Sequence, residues 1–240
     1  MSLAKSIEKK IKQIPPGQIF SAKTINAETA PSIRTIFSRL EDRGDIKRLQ
    51  GTQGLYYIPI EGLLGGTRKP SRGSIIKALL NGKQRGYRTG LSLYNQIGLT
   101  TQVPGNVTIA SNRAPRKVKI GNLNVEYRKA KAPVTKTNTQ LLQYLDILSD
   151  IKLSPDTTPS MIVASMNKKI DSLEPRKLKE IVKLSRYYPK RVQALLGAIL
   201  EYNNYTDLSS RLKKVLTSGS IFNIKVSSTV LPTKKNWNIK

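Results

Sequence analysis

Between Pro31 and Ile58 the chain carries a pattern that few folds can accommodate. Ile33, Ile36, Phe37 and Leu40 recur at i, i+3, i+4 and i+7, which lines them along one face of a helix, and Gly44 supplies the stop. Pro31 stands where a first helical turn tolerates proline. Ile46 to Leu49 and Leu55 to Ile58 follow at once around the turn Gln50-Gly51-Thr52-Gln53-Gly54, which predicts a glycine-closed β-hairpin. Upstream, Leu3, Ile7, Ile11 and Ile14 share one face of a first helix that ends at Pro15-Pro16-Gly17. Ile19 and Phe20 form a short apolar pair, Ser21 is placed to cap a brief second helix from Ala22 to Asn26, and a turn follows at Ala27 to Ala30. Helix, helix, turn, helix, hairpin is the order of a winged helix.

The outer face of the third helix carries Ser32, Arg34, Thr35, Ser38, Arg39 and Arg43, small hydroxyls and guanidiniums in place of the mixed Glu and Lys of an ordinary solvated helix. A helix fits the major groove of B-DNA and presents its N-terminal side chains to base edges. On that geometry Arg34 and Arg39 are candidates for a two-pronged contact to guanine. Ser32, Thr35 and Ser38 would reach phosphates or base edges, and Lys47, Arg48 and Gln53 on the hairpin would touch backbone or minor groove. The competing reading is a compact three-helix unit with no nucleic-acid role.

Charge favours a polyanionic partner. The chain has 42 Lys and Arg against 15 Asp and Glu, a formal net charge of +27. Twelve of the basic residues but a single acid, Glu126, lie between residues 71 and 135. Charge alone does not distinguish DNA from RNA or an acidic membrane. No stretch approaches the roughly 20 apolar residues of a bilayer span, and the N-terminus has no secretory pattern, so a cytoplasmic protein is expected. Cysteine and histidine are both absent. That removes disulfides, thiolate or imidazole metal sites, Cys and His nucleophiles, and the usual neutral-pH base. No metal or other cofactor is expected, and the chain does not read as an enzyme.

Beyond residue 62, Glu61 to Gly73 reads as a linker. A helix is predicted around Ser74 to Leu80, a basic turn at Lys83-Gln84-Arg85-Gly86, and a helix from Gly90 to Ile97 stopped at Gly98. Strands are expected at Val107 to Ala110, Arg116 to Ile120 and Leu123 to Arg128, with Gly121-Asn122 turning the last pair. The run Gly90-Leu91-Ser92-Leu93-Tyr94-Asn95-Gln96-Ile97-Gly98-Leu99-Thr100-Thr101-Gln102-Val103-Pro104, with the basic hairpin and Tyr127 to Pro133 behind it, resembles the AbiEi-type antitoxins. Gly54-Leu55-Tyr56-Tyr57-Ile58-Pro59 and the helix before it resemble that family's N-terminal domain. The resemblance implies a winged-helix repressor of its own operon, bound to operator DNA, that counteracts a nucleotidyltransferase toxin. It leaves open whether the toxin is touched directly. Read from the residues alone, glycine simply ends a helix at Gly98, Leu99 enters the core and a strand begins.

From Thr139 the periodicity is helical, with five apolar stripes and Pro155, Pro159, Pro175 and Pro189 between them, placed to start helices. Arg176, Lys177, Lys179, Lys183, Arg186, Lys190 and Arg191 gather on the polar faces, a solvated surface or a second phosphate contact. Ile221 to Val226 reads as a last strand and the tail through Trp237 as mobile. The expected fold is α+β: a winged helix-turn-helix over 1–62, a basic helix-plus-β-hairpin unit over 72–133, and a C-terminal helical region over 138–226 that can join the second unit. Lys83, Arg85, Arg88, Arg113, Arg116, Lys117, Arg186, Lys190 and Arg191 are secondary candidates for nucleic acid or toxin. A winged-helix regulator without a toxin and a structural RNA-binding protein are the alternatives. A nuclease built on Glu126-Tyr127-Arg128 would need a second carboxylate to hold magnesium.

Overall fold

The computed structural model describes residues 3–25, 31–62, 66–81, 86–152, 156–217 and 219–240. It is a mixed α+β chain that divides into two compact units, residues 1–84 with 117–125, and 85–116 with 126–240. Residues 72–84 and 117–125, both within the unit expected over 72–133, group with the first. Asn26 to Ala30, Lys83 to Arg85 and Pro155 lie outside the described residues.

In the first unit the elements are α1 (Leu3–Lys12), β1 (Ile19–Ser21), α2 (Ala22–Ile25), α3 (Pro31–Asp42), β2 (Lys47–Arg48) and β3 (Leu55–Tyr57). Ser21 caps α2 reciprocally: its Oγ accepts from the Thr24 amide at 3.3 Å, and Thr24 Oγ1 accepts from the Ser21 amide at 2.9 Å. The three strands form an antiparallel sheet in the order β1-β3-β2, with Phe20 and Arg48 both opposite Tyr56. Ile7, Ile11, Phe20, Ile25, Ile33, Phe37, Leu40, Ile46 and Tyr56 make one core. Full burial of a side chain such as Phe37 or Leu40 stabilises by about 1.5–3 kcal/mol, which is how the apolar stripe of α3 fixes which face remains outside. Phe37 meets Tyr56 edge-on, ring centroids 5.0 Å apart. Leu3, expected on the buried face of α1, is exposed.

Gly44 takes φ +80 just past α3. The Asp45 amide turns back to the Leu40 carbonyl at 3.0 Å, a left-handed helix end that a residue with a Cβ would strain. The expected linker is more ordered than its composition implies: β4 (Ile60–Glu61) pairs with β5 (Thr67–Arg68), and α4 (Arg72–Asn81) begins with Ser71 Oγ accepting from the Ser74 amide.

The second sheet runs β6-β7-β9-β8 and contains β6 (Gly86–Thr89), β7 (Asn106–Ser111), β8 (Arg116–Ile120) and β9 (Leu123–Lys129). Gly86, expected in a turn, opens β6 and pairs with Ser111. Between β6 and β7 lies α5 (Gly90–Gln96), followed by a segment without regular secondary structure that leads into β7, where the strand expected at Val107 to Ala110 is found. Asp156 holds that segment, its carboxylate accepting from Thr100 Oγ1 at 2.7 and 2.9 Å and from the Thr101 amide at 3.2 Å. Thr157 Oγ1 donates to the Leu99 carbonyl.

The helical part comprises α6 (Thr139–Ser149), α7 (Pro159–Asp171), α8 (Pro175–Ser185), α9 (Lys190–Tyr202) and α10 (Thr206–Lys213). Pro159 and Pro175 occupy first-turn positions, and Pro189 precedes α9. The tail corrects the expectation of mobility: a 3-10 helix (Pro232–Trp237) packs on α9, and Trp237 is buried. In place of a strand at Ile221 to Val226, a single parallel bridge joins Phe222 to Ile239. Among the described residues no helix is long and apolar enough to cross a membrane.

Candidate nucleic-acid interface

With Ile33, Phe37 and Leu40 anchored in the core, α3 turns Ser32, Arg34, Thr35, Ser38 and Arg39 outward, and all five are exposed. Neither Arg34 nor Arg39 has a hydrogen-bond or ion-pair partner among the described residues. Two guanidiniums, one turn plus one residue apart and flanked by three hydroxyls, form a surface of donors, with the acids of the helix, Glu41 and Asp42, at its C-terminal end.

The other cations expected beside them are tied into the protein. Arg43 bridges Glu8 and Asp45, each at 2.8 Å, and these hydrogen bonds hold its proton still more firmly than usual. Lys47 donates to Thr67 Oγ1 at 2.6 Å. Arg48 pairs with Glu41 at 3.3 Å and lies 5.6 Å from the centre of the Tyr56 ring. Gln53 is exposed in the turn between β2 and β3.

Of the secondary candidates, Lys83 and Arg85 lie outside the described residues. Arg88 is half-buried on β6, and its carbonyl accepts from Gln143 Nε2 at 3.2 Å. Arg113 and Lys117 are exposed, while the Arg116 guanidinium stacks 4.0 Å above the Tyr127 ring. On the helical part Arg186 is exposed, Lys190 donates to the Val215 carbonyl, and Arg191 donates to the Ser149 carbonyl.

The second unit contains a polar centre that sequence patterning did not single out. Asp146, buried on α6, accepts from Thr89 Oγ1 at 2.7 Å, Tyr188 Oη at 2.9 Å and Tyr87 Oη at 3.0 Å. Lys131 reaches it at 3.6 Å, reaches Asp150 at 3.8 Å, and donates to Ser149 Oγ at 2.9 Å. A Ser and Lys are therefore adjacent, but Ser149 is buried and the ammonium is matched by two carboxylates, an arrangement that locks elements together. On β9 the Glu126 carboxylate is taken by Arg128 at 3.0 Å. Among the described residues there is no group of three acidic, histidine or cysteine side chains able to hold a metal ion.

A family model described as a family of unknown function, DUF6088, matches residues 6–152. No curated protein matches the sequence. Among solved structures, the chain is similar to the crystal structure of the RV2827C protein from Mycobacterium tuberculosis. The identity is 12% and the TM-score 0.41, with 93% of this chain and 85% of that chain covered.

Proposed function

Because the chain belongs to the family of unknown function DUF6088, whose description assigns no activity, we propose from its own residues that it is a duplex-DNA-binding regulator that works by binding and not by catalysis. The single observation carrying this reading is the exposed face of α3, where Arg34 and Arg39 stand among hydroxyls with no partner among the described residues while neighbouring cations are consumed by intramolecular pairs. Arginine is the side chain suited to bidentate contact with guanine in the major groove. We read the succession of α1, β1, α2, α3, β2 and β3, with its sheet order β1-β3-β2, as a winged helix whose recognition helix is α3. The resemblance of residues 90–104 and 127–133 to AbiEi-type antitoxins extends the proposal: a cytoplasmic autorepressor whose operator lies upstream of its own gene and whose partner gene encodes a nucleotidyltransferase toxin.

The test is competition binding of the full chain to the duplex upstream of its gene, to scrambled duplex and to structured RNA. The upstream duplex should win, and Arg39→Ala should cost about 1–3 kcal/mol on it and less on scrambled DNA. A preference for the RNA would replace this reading with an RNA-binding one. Growth rescue on co-expression with the adjacent gene product tests the antitoxin part separately.

A further inference from the structure

The turn between β2 and β3 is not a free tip. Gly51 adopts φ +79, and a Cβ placed there would collide with the backbone carbonyl of Lys119. The Gly121 amide donates to the Gln50 carbonyl at 3.1 Å. Leu49, 2% exposed, and Ile75, 1% exposed, border Gly121 from below. Backbone therefore meets backbone: the tip of the β8–β9 hairpin is seated against the tip of the β2–β3 hairpin, both within the first compact unit. Only glycine permits that approach.

Strand alternation then decides what the seated tip presents. Ile120, buried, shares one side of β8 with Arg116 and Val118, which leaves Lys117 and Lys119 together on the other. Both lysines are exposed, and neither has a hydrogen-bond or ion-pair partner among the described residues. Gln53 and Asn122 are exposed on the same pair of turns, and Asn124 is exposed at the start of β9. No Asp or Glu occurs from Ile46 to Ile58 or from Asn112 to Val125, so this positive charge has no acid on either hairpin tip to answer it. Ammonium groups on flexible stems, set among amide donors, suit phosphate oxygens better than base edges.

We propose that the β8–β9 tip is a second wing, whose Lys117 and Lys119 contact the phosphates of duplex DNA beside the stretch read by α3. This rests on the DNA-binding reading above and adds to it a specific phosphate-contacting edge. The close approach at Gly51 fixes that edge to the first wing, so the two tips meet the backbone as one body.

The experiment is a salt titration of duplex binding by the full chain, comparing wild type, Lys117→Gln/Lys119→Gln, a charge-matched control at two exposed lysines outside every candidate surface (Lys168→Gln/Lys214→Gln) and Arg39→Ala, with melting curves to show that each variant folds. Loss of two phosphate contacts should weaken binding equally on every duplex sequence and lower the slope of log K against log salt by about 2, the control keeping the wild-type slope. An unchanged slope in the β8 variant, or the same decrease in both lysine pairs, overturns the second wing while Arg39→Ala still reports on α3. Absence of duplex binding by wild type overturns both readings together.

Discussion

Tyr188 Oη and Asp146 Oδ1 lie 2.9 Å apart in the core of the second unit, joining residues 42 positions apart in sequence. The same carboxylate receives Tyr87 and Thr89 from β6 and faces Lys131 from the segment after β9. A charge placed this deep is tolerated because each of its neighbours is a donor, and the neighbours in turn depend on it. Removing the acceptor takes the carboxylate from three buried hydroxyls at once and leaves Lys131 with Asp150 as its carboxylate partner, whereas removing one donor leaves the rest of the centre intact. Asp146→Ala should therefore destabilise by about 3–5 kcal/mol and Tyr188→Phe by about 1.5–3 kcal/mol. Urea unfolding followed by circular dichroism checks both; equal, small losses would mean that the centre is ornamental to stability.

Alkaline pH should weaken the fold through the same residues. Burial, reinforced by the Asp146 carboxylate, holds the Tyr87 and Tyr188 phenols well above the ordinary tyrosine range; burial followed by Asp150 does the same for Tyr94. In the unfolded chain all three lose protons near pH 10, while in the folded chain they keep them. The unfolded state then binds fewer protons, so stability is constant below about pH 10 and falls above it, by about 1.4 kcal/mol per pH unit for each phenol. Tyr188→Phe should flatten that decline by one proton's worth. Stability curves at pH 8 and between pH 10 and 12 measure it, and identical slopes in variant and wild type would contradict the assignment.

The sole tryptophan reports on the tail. The ring of Trp237 lies directly over Gly197 of α9, leaving no room for a Cβ, and its Nε1 donates to Glu201 at 2.6 Å. Gly197→Ala should push the ring out, at an overpacking cost of about 1–3 kcal/mol, and shift its fluorescence to longer wavelength. An unshifted emission spectrum would show that the tail docks some other way.

What the sequence made legible was whatever depends on local periodicity. Ile33, Phe37 and Leu40 define α3 by spacing alone, Ser21 marks a cap, and Pro159 and Pro175 mark helix starts. The Asp146 centre was illegible because its partners come from elsewhere in the chain: in the stripe Leu141, Leu142, Leu145, Leu148, an aspartate reads as one more solvent-facing polar residue. The tail was misread for a related reason. Pro232 to Trp237 is polar and without period, yet one indole finding a glycine notch on α9 fixes it. At the candidate interface the outward face of α3 followed from the helix period. The ion pairs of Arg43 and Arg48 and the seating of Lys119 against Gly51 could not, since each joins segments whose proximity only the tertiary fold creates.

Arg39 and Arg43 are one helical turn apart and both exposed, so a count of positive charges would treat them alike. Their surroundings separate them. Arg43 already has its fork filled by Glu8 and Asp45, and contact with a phosphate would require breaking exposed ion pairs that each stabilise by about 0.2–1 kcal/mol. Arg39 has no such engagement among the described residues and gives up nothing but water. Arg39→Ala should therefore abolish most discrimination between the upstream duplex and scrambled DNA without changing the melting temperature. Arg43→Ala should lower the melting temperature slightly and leave that discrimination in place. Anisotropy titrations on the two duplexes, paired with thermal melts, measure both quantities. If Arg43→Ala relaxes discrimination as much as Arg39→Ala does, the helix meets DNA through its C-terminal end, and the assignment of Arg34 and Arg39 as the reading pair is wrong.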